Sequence, residues 1–117
     1  MAAEFNHIGV PLDHITPEME NHPAGKFWEC GPEANDFHIE FMYFEEDAPY
    51  PIEHKTIPHV CYEVEDMAPY LEKYAERLIL GPCAVGDKWA VFFRMKDFPL
   101  NIELYCKKKP DMDPVGM

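Results

Sequence analysis

Alternating and continuous apolar runs along the chain predict mostly β-strands. Five runs rich in aromatic and β-branched residues have the length of a strand, and they lie at 5–10, 37–44, 59–64, 89–95 and 100–106. Two weaker candidates lie at 26–30 and 82–85. Together with one predicted helix, these strands indicate an α+β fold with a mostly β core.

The helix is predicted to begin after Asp66. This residue can cap the first turn, in which Pro69 needs no hydrogen-bond donor. Apolar residues then recur on one helical face, at Met67, Leu71, Tyr74, Ala75 and Leu78. Gly81 and Pro82 are expected to end the helix.

Prolines divide the chain into two halves. The sequence contains 12 prolines, and their density between residues 11 and 35 argues against a long helix there. The segment Pro49-Tyr50-Pro51 is typical of an extended connector. We expect a single domain over residues 1–117, divided into a first module at about 4–48, a connector at 49–57, a second module at 58–106 and a frayed tail at 107–117.

The two halves share two short motifs. Residues 6–10 (Asn-His-Ile-Gly-Val) match residues 58–62 (Pro-His-Val-Cys-Tyr), with a histidine in second place. Residues 37–41 (Phe-His-Ile-Glu-Phe) match residues 100–104 (Leu-Asn-Ile-Glu-Leu), with a glutamate in fourth place. The first half is shorter by about the length of the predicted helix. The repeat therefore predicts two paired βαβββ modules that form a cupped mixed sheet, the first module having its helix reduced to a loop.

Alternation along these strands directs ligand-type side chains to one face of the sheet. Glu103 points away from Leu104, and Glu40 points away from Phe41, because alternate residues of a strand share a face. If the histidine strands and glutamate strands are neighbours, two imidazoles and two carboxylates converge on the concave face. A divalent cation would relieve their repulsion and poor solvation, and this donor set suits Zn, Ni, Co, Mn or Fe.

At these residues the sequence resembles the vicinal oxygen chelate superfamily, the fold of glyoxalase I, extradiol dioxygenases and bleomycin-resistance proteins. The resemblance covers about residues 5–106 and is strongest at 58–66 (PHVCYEVED) and 93–104 (FRMKDFPLNIEL). One departure is visible, because Pro99-Leu100 replaces the usual turn glycine. The resemblance implies that the metal ligands are His7, Glu40, His59 and Glu103.

The resemblance also implies an activity. It indicates a divalent-metal-dependent, glyoxalase-like lyase or isomerase that acts on a small oxygenated metabolite through a chelated enediolate-type intermediate. Glu103 is expected to be the catalytic base, with Glu40 as its catalytic partner on the opposite side. The sequence has only two arginines, Arg77 and Arg94, and no basic cluster for glutathione or coenzyme A.

Several alternatives stay open. A non-catalytic, resistance-type binding protein of the same fold would hold a ligand without metal, and an iron oxygenase would need only two histidines and one carboxylate. His38 can replace or assist Glu40, whereas His14, His22 and His54 are expected to be solvated. Beside the metal site, the expected substrate-binding residues are His38, Cys61, Trp89, Phe93 and Tyr105.

Net charge limits the classes of expected partner, and the cysteine content indicates the compartment. A net charge of -12 argues against nucleic acid and against anionic membranes. No secretory signal and no apolar run of about 20 residues is visible. The 4 cysteines form no C-x-x-C pair, which predicts reduced thiols in a cytoplasmic protein. The expected partner is a small-molecule substrate or ligand, and the resemblance implies a homodimer.

Overall fold

Strands make up most of the regular structure. A computed structural model describes residues 3–117, and within them the chain forms eight strands, β1 (Glu4–Pro11), β2 (Glu20–His22), β3 (Phe27–Cys30), β4 (Ile39–Phe44), β5 (His59–Glu63), β6 (Leu78–Val85), β7 (Lys88–Arg94) and β8 (Asn101–Cys106). Two short helices are present in the same range, α1 (Ile52–Thr56) and α2 (Ala68–Lys73). Single 3-10 turns lie at Pro32–Ala34 and Ala75–Arg77. The predicted α+β class is confirmed.

All eight strands belong to one mixed sheet that curls into a half-barrel. Its order is β2-β3-β4-β1-β5-β8-β7-β6. The first strand of each half pairs in parallel with the last strand of that half, as β1 does with β4 and β5 with β8. Strands β1 and β5 pair antiparallel at the centre. The strands that carry the paired motifs are therefore the four central ones.

The strand register aligns the ligand-type residues in two adjacent rows. In one row, His7 pairs with Cys61, which in turn pairs with Glu103. In the next row, Gly9 pairs with Glu40 on one side and with His59 on the other. Because cross-strand partners lie on the same face, both rows present their side chains to the concave side of the sheet.

The main hydrophobic core lies on the outer, convex face of the second half. It consists of the buried residues Val64, Met67, Val91, Phe93, Leu104 and Cys106. Leu71 and Tyr74, on and just after α2, pack against this group. A smaller cluster of Leu80, Ala90 and Phe92 lies on the concave side. Strand β7 is thus buried on both faces, and the odd and even positions of β7 enter different cores.

The predicted helix is shorter than its apolar pattern suggested. The N-cap is Met67, one residue after the predicted Asp66, whose Oδ1 accepts a hydrogen bond from the backbone N–H of Ala68 at 3.0 Å. However, Leu78 begins β6, and Gly81 and Pro82 lie inside that strand instead of ending a helix. Pairing of β6 with β7 across residues 78–85 overrides the helical periodicity.

Other elements were not predicted. Strand β2 is too short to give a periodic signal, and α1 occupies the segment expected to be an extended connector. Strand β4 begins at Ile39, later than predicted. No helix among residues 3–117 is long and apolar enough to cross a membrane.

The expectation of a frayed tail was wrong. Val115 and Gly81 exchange two backbone hydrogen bonds, of 2.7 and 2.9 Å. Met112 packs against the outer core beside α2. The segment after β8 therefore folds back and adds to the second half.

Removing residues 111–117 tests this contribution. We expect the free energy of unfolding to fall by about 2 kcal/mol, because Met112 leaves its apolar contacts and Gly81 loses two hydrogen bonds. Urea unfolding followed by circular dichroism measures the change. Lys107→Ala, at an exposed position before the tail, should leave the midpoint unchanged. An unchanged midpoint in the truncated chain would show that the tail contributes nothing.

Candidate metal centre

Four side chains from the four central strands meet on the concave face. His7 comes from β1, Glu40 from β4, His59 from β5 and Glu103 from β8. The two histidines are each 2% exposed and Glu103 is 3% exposed. The side chain of Glu40 is 14% exposed and lies at the more open side. These four residues are called the His/Glu cluster below.

The donor atoms of the His/Glu cluster face one point. The Nε2 atoms of His7 and His59 lie 3.3 Å apart. Glu103 Oε1 is 3.2 Å from His7 Nε2 and 3.1 Å from His59 Nε2. Glu40 Oε1 is farther away, at 3.6 Å from the first and 3.7 Å from the second.

These separations fit a single divalent ion. Ligand bonds of about 2.1 Å place neighbouring donors about 3.0 Å apart at right angles and about 3.4 Å apart in a tetrahedron. The distances among His7, His59 and Glu103, 3.1 to 3.3 Å, lie within that range, and the two Glu40 distances, 3.6 and 3.7 Å, lie slightly above it. Two carboxylates and two neutral imidazoles also balance a charge of two. We conclude that two overlapping groups here can hold a metal ion, His7 with Glu40 and His59, and His7 with Cys61 and Glu103.

Each histidine is oriented by its surroundings. The Nδ1 atom of His7 lies 2.7 Å from Asn6 Oδ1, which directs Nε2 toward the cluster. The ring of His59 packs edge-on against Phe92 and lies parallel to the ring of His54. Beneath it, the backbone of Gly9 comes so close that a Cβ atom there would overlap the imidazole. The absence of a side chain at Gly9 is therefore what leaves room for His59.

The two carboxyl groups have opposite electrostatic environments. Burial alone would raise the pKa of Glu103, but hydrogen bonds to His59 and His7 lower that pKa to about 2. In contrast, burial and the adjacent Glu29 carboxylate raise the pKa of Glu40 to about 10. Glu103 is thus a firmly held anion. Glu40 is the carboxyl group that is held more loosely and that binds a proton more readily.

Cys61 lies beneath the His/Glu cluster. Its side chain is fully buried, and its Sγ lies within 4.8 Å of ligand atoms of His7 and Glu103. Burial and the negative charge of Glu103 raise the pKa of this thiol. Within the structure it is a free cysteine, as are Cys30, Cys83 and Cys106. The opposing effect of Lys88 on this pKa is smaller, so the thiol form is favoured in the absence of a metal ion.

A cavity of about 380 Å³ opens above the cluster. Glu40, His59 and Glu103 form part of its wall, together with Tyr105. The rest is largely apolar and aromatic and includes Met42, Phe44, Tyr50, Leu80 and Phe92. A small molecule in this cavity would contact the donor atoms directly.

Three expected substrate-binding residues lie elsewhere, and those expectations were wrong. His38 is exposed and precedes β4 with a φ of 55°, so it does not share the alternation that directs Glu40 inward. Phe93 is buried in the outer core. Trp89 has the same parity as Phe93 on β7, and its ring lies under Lys109 at the outer face. Phe92 is the β7 aromatic residue that lines the cavity.

Sequence reasoning also misplaced or missed residues near the site. His54 was expected to be solvated, but it is 7% exposed and its ring lies 4.5 Å from that of Phe92. Glu29 on β3 was not considered, although it lines the cavity beside Glu40. Gly9 had a usable signal, since a glycine inside an apolar strand often marks a close approach. His14 is exposed as expected, and His22 is half-exposed beside Glu29.

Comparisons with known proteins found no match to this chain among protein-family models, curated proteins or solved structures. The interpretation of the His/Glu cluster therefore rests on its donor types, their spacing and their burial. Of the residues expected at the site, the structure brings together His7, Glu40, Cys61, His59, Glu103 and Tyr105.

Replacing Gly9 by alanine tests how the site is built. The new methyl group would displace the His59 ring, and we expect the affinity for zinc to fall by about tenfold or more. Titration calorimetry on the metal-free protein measures this affinity. Gly31→Ala is the matched control, because there the methyl group would meet only the end of the exposed Glu33 side chain. Unchanged zinc affinity in the Gly9 variant would contradict the described packing.

His54 predicts a specific pH dependence of stability. Burial lowers its pKa from 6.5 to about 4, so below pH 6.5 the unfolded chain binds a proton that the folded chain does not. Stability is therefore lost as the pH falls from 6.5 to 4, by about 3 kcal/mol at most. Urea unfolding of metal-free protein should show this loss in the parent chain and a smaller one in His54→Gln. The exposed control His14→Gln should behave like the parent, whereas identical curves for all three would refute the prediction.

Proposed function

We propose that this chain is a vicinal oxygen chelate-type domain made of two βαβββ modules. The strand orders support this proposal, because β2-β3-β4-β1 in the first half corresponds to β6-β7-β8-β5 in the second. Helix α2 lies between β5 and β6, whereas the segment between β1 and β2 contains no helix in the described structure. This is the arrangement expected when the first module has its helix reduced to a loop.

Within that fold we propose a divalent-metal-dependent lyase or isomerase of the glyoxalase type, acting on a small oxygenated metabolite. One observation carries the proposal. The carboxylates of Glu40 and Glu103 lie within 3.7 Å of both imidazoles, and a mostly apolar cavity of about 380 Å³ opens beside Glu40, His59 and Glu103. A structural ion needs no cavity beside it, whereas a catalytic site keeps space for the substrate. The bound ion would supply Lewis-acid polarisation of substrate oxygens.

The two carboxylates are proposed to have different tasks. Glu103 lies within 3.2 Å of both imidazoles and is shielded from solvent, so it stays in place. Glu40 lies at least 3.6 Å from them and is more exposed to the cavity. We therefore assign to Glu40, in place of the expected Glu103, the removal of a proton from the carbon next to the substrate carbonyl. The apolar wall, including Phe92, excludes water while the proton is moved.

Metal content tests the first part of the proposal. Protein purified without an affinity tag should contain about one divalent ion per chain, measured by plasma mass spectrometry. His59→Ala and Glu103→Ala should lose it, because each removes a buried ligand. Glu63→Gln, which removes a carboxylate on the same strand as His59, should retain it. Absence of a stoichiometric ion from the parent protein would refute a metal-dependent activity.

Proton exchange between substrate and solvent tests the assignment of the catalytic base to Glu40. In deuterated water, the metal-loaded protein should exchange carbon-bound protons of small hydroxy ketones, observed by NMR. Glu40→Gln should slow the exchange by about a hundredfold or more while Glu33→Gln, at a nearby exposed acid, leaves it unchanged. Undiminished exchange in metal-loaded Glu40→Gln would refute the assignment of the base to Glu40. Ligand binding without any exchange would indicate the non-catalytic, resistance-type alternative.

A further inference from the structure

In the part of the chain that the structure describes, the cavity beside the His/Glu cluster is lined by three carboxylates and three histidines (His22, His54 and His59). Among the described residues, its wall includes the carboxylates of Glu29, Glu40 and Glu103 but no lysine and no arginine. Lys88 is near, with its Nζ 5.7 Å from the centre of the Tyr105 ring, but it donates to Glu63 at 2.7 Å. A phosphate or carboxylate on a ligand would therefore find no lysine or arginine to pair with in this cavity.

Glu29 lines the cavity but is not one of the proposed metal ligands. It lies on β3, two strands away from His7, and its side chain is 27% exposed. The His22 Nε2 atom lies 3.1 Å from one of its carboxylate oxygens. When Glu40 binds an ion, the Glu29 carboxylate remains available to accept a hydrogen bond from a ligand at the outer side of the cavity.

Three aromatic rings line the same cavity as Glu29. Phe27 lies two positions before Glu29 on the same face of β3, and its ring centre is 5.7 Å from that of Phe44 and 6.3 Å from that of Tyr50. Aromatic faces beside a carboxylate favour a cationic or neutral group and disfavour an anion.

Resting on the function proposed above, we propose that the substrate carries no phosphate or carboxylate and presents an amino or hydroxyl group to Glu29. One end of the molecule would lie at the His/Glu cluster, and the other would donate a hydrogen bond to the Glu29 carboxylate. The net charge of -12 acts in the same direction, since the field of the whole chain repels anions and attracts cations. Glu29 is thus the residue that selects among substrates, separate from the ligands of the ion.

Three chelating probes of similar size test this assignment. Ethylcatechol, aminoethylcatechol and carboxymethylcatechol share two adjacent oxygens and differ in the charge of one arm. Their affinities for the zinc-loaded protein are measured by titration calorimetry without oxygen. We expect the aminoethyl probe to bind about tenfold more tightly than the ethyl probe, and the carboxymethyl probe about tenfold more weakly.

Replacing Glu29 separates its own effect on probe affinity from the effect of the net negative charge of the chain. In Glu29→Gln the differences among the three probes should shrink to about threefold or less, with zinc content unchanged. Glu33→Gln removes the same charge from an exposed position outside the cavity and should preserve the order. Equal affinities for all three probes, or tighter binding of the carboxymethyl probe, would overturn the assignment while leaving the metal centre intact. Zinc-loaded protein that binds none of the probes would overturn the proposed function and this assignment together.

Discussion

Two carboxylates and two imidazoles are held together in the centre of a sheet, almost without contact with water. Burying two acids side by side is unfavourable unless cations or hydrogen-bond donors compensate. In this chain the Nε2 atoms of His7 and His59 lie 3.2 and 3.1 Å from Glu103, and these neighbours lower the pKa of that carboxyl group. Burial and the neighbouring Glu29 carboxylate raise the pKa of Glu40, so without a cation it takes up a proton. The group is therefore a site that a divalent ion would complete, and a poor contributor to stability by itself.

The order of the strands in the sheet brings these four side chains together. Parallel pairing of β1 with β4 and of β5 with β8 brings each histidine strand beside a glutamate strand. Antiparallel pairing of β1 with β5 then joins the two pairs at the centre. Stability comes mainly from the other face, where α2 and the folded-back tail cover the apolar residues of the second half. This division leaves the concave face free for polar side chains.

The repeated motifs produce a site that is symmetric in its ligands and asymmetric in its surroundings. Glu40 and Glu103 occupy corresponding positions, yet one faces the cavity and Glu29 while the other lies under both imidazoles. The short connecting helix α1 adds to the difference, because His54 packs against Phe92 and Glu53 accepts a hydrogen bond from buried Asn101. The two carboxylates therefore have different proton affinities and, in the proposed function, different tasks.

The sequence by itself determined β1, β4, β5, β7 and β8 and the common face of His7, Glu40, His59 and Glu103, because side chains alternate strictly where a strand is apolar on one side only. It was insufficient where that alternation failed. Strand β7 is buried on both faces from Ala90 to Phe93, so its pattern did not distinguish Phe92 in the cavity from Phe93 in the core. A positive φ at His38 broke the alternation before β4. The positions of His54 and Glu29 depend on contacts between segments distant in sequence, and only the tertiary structure decided them.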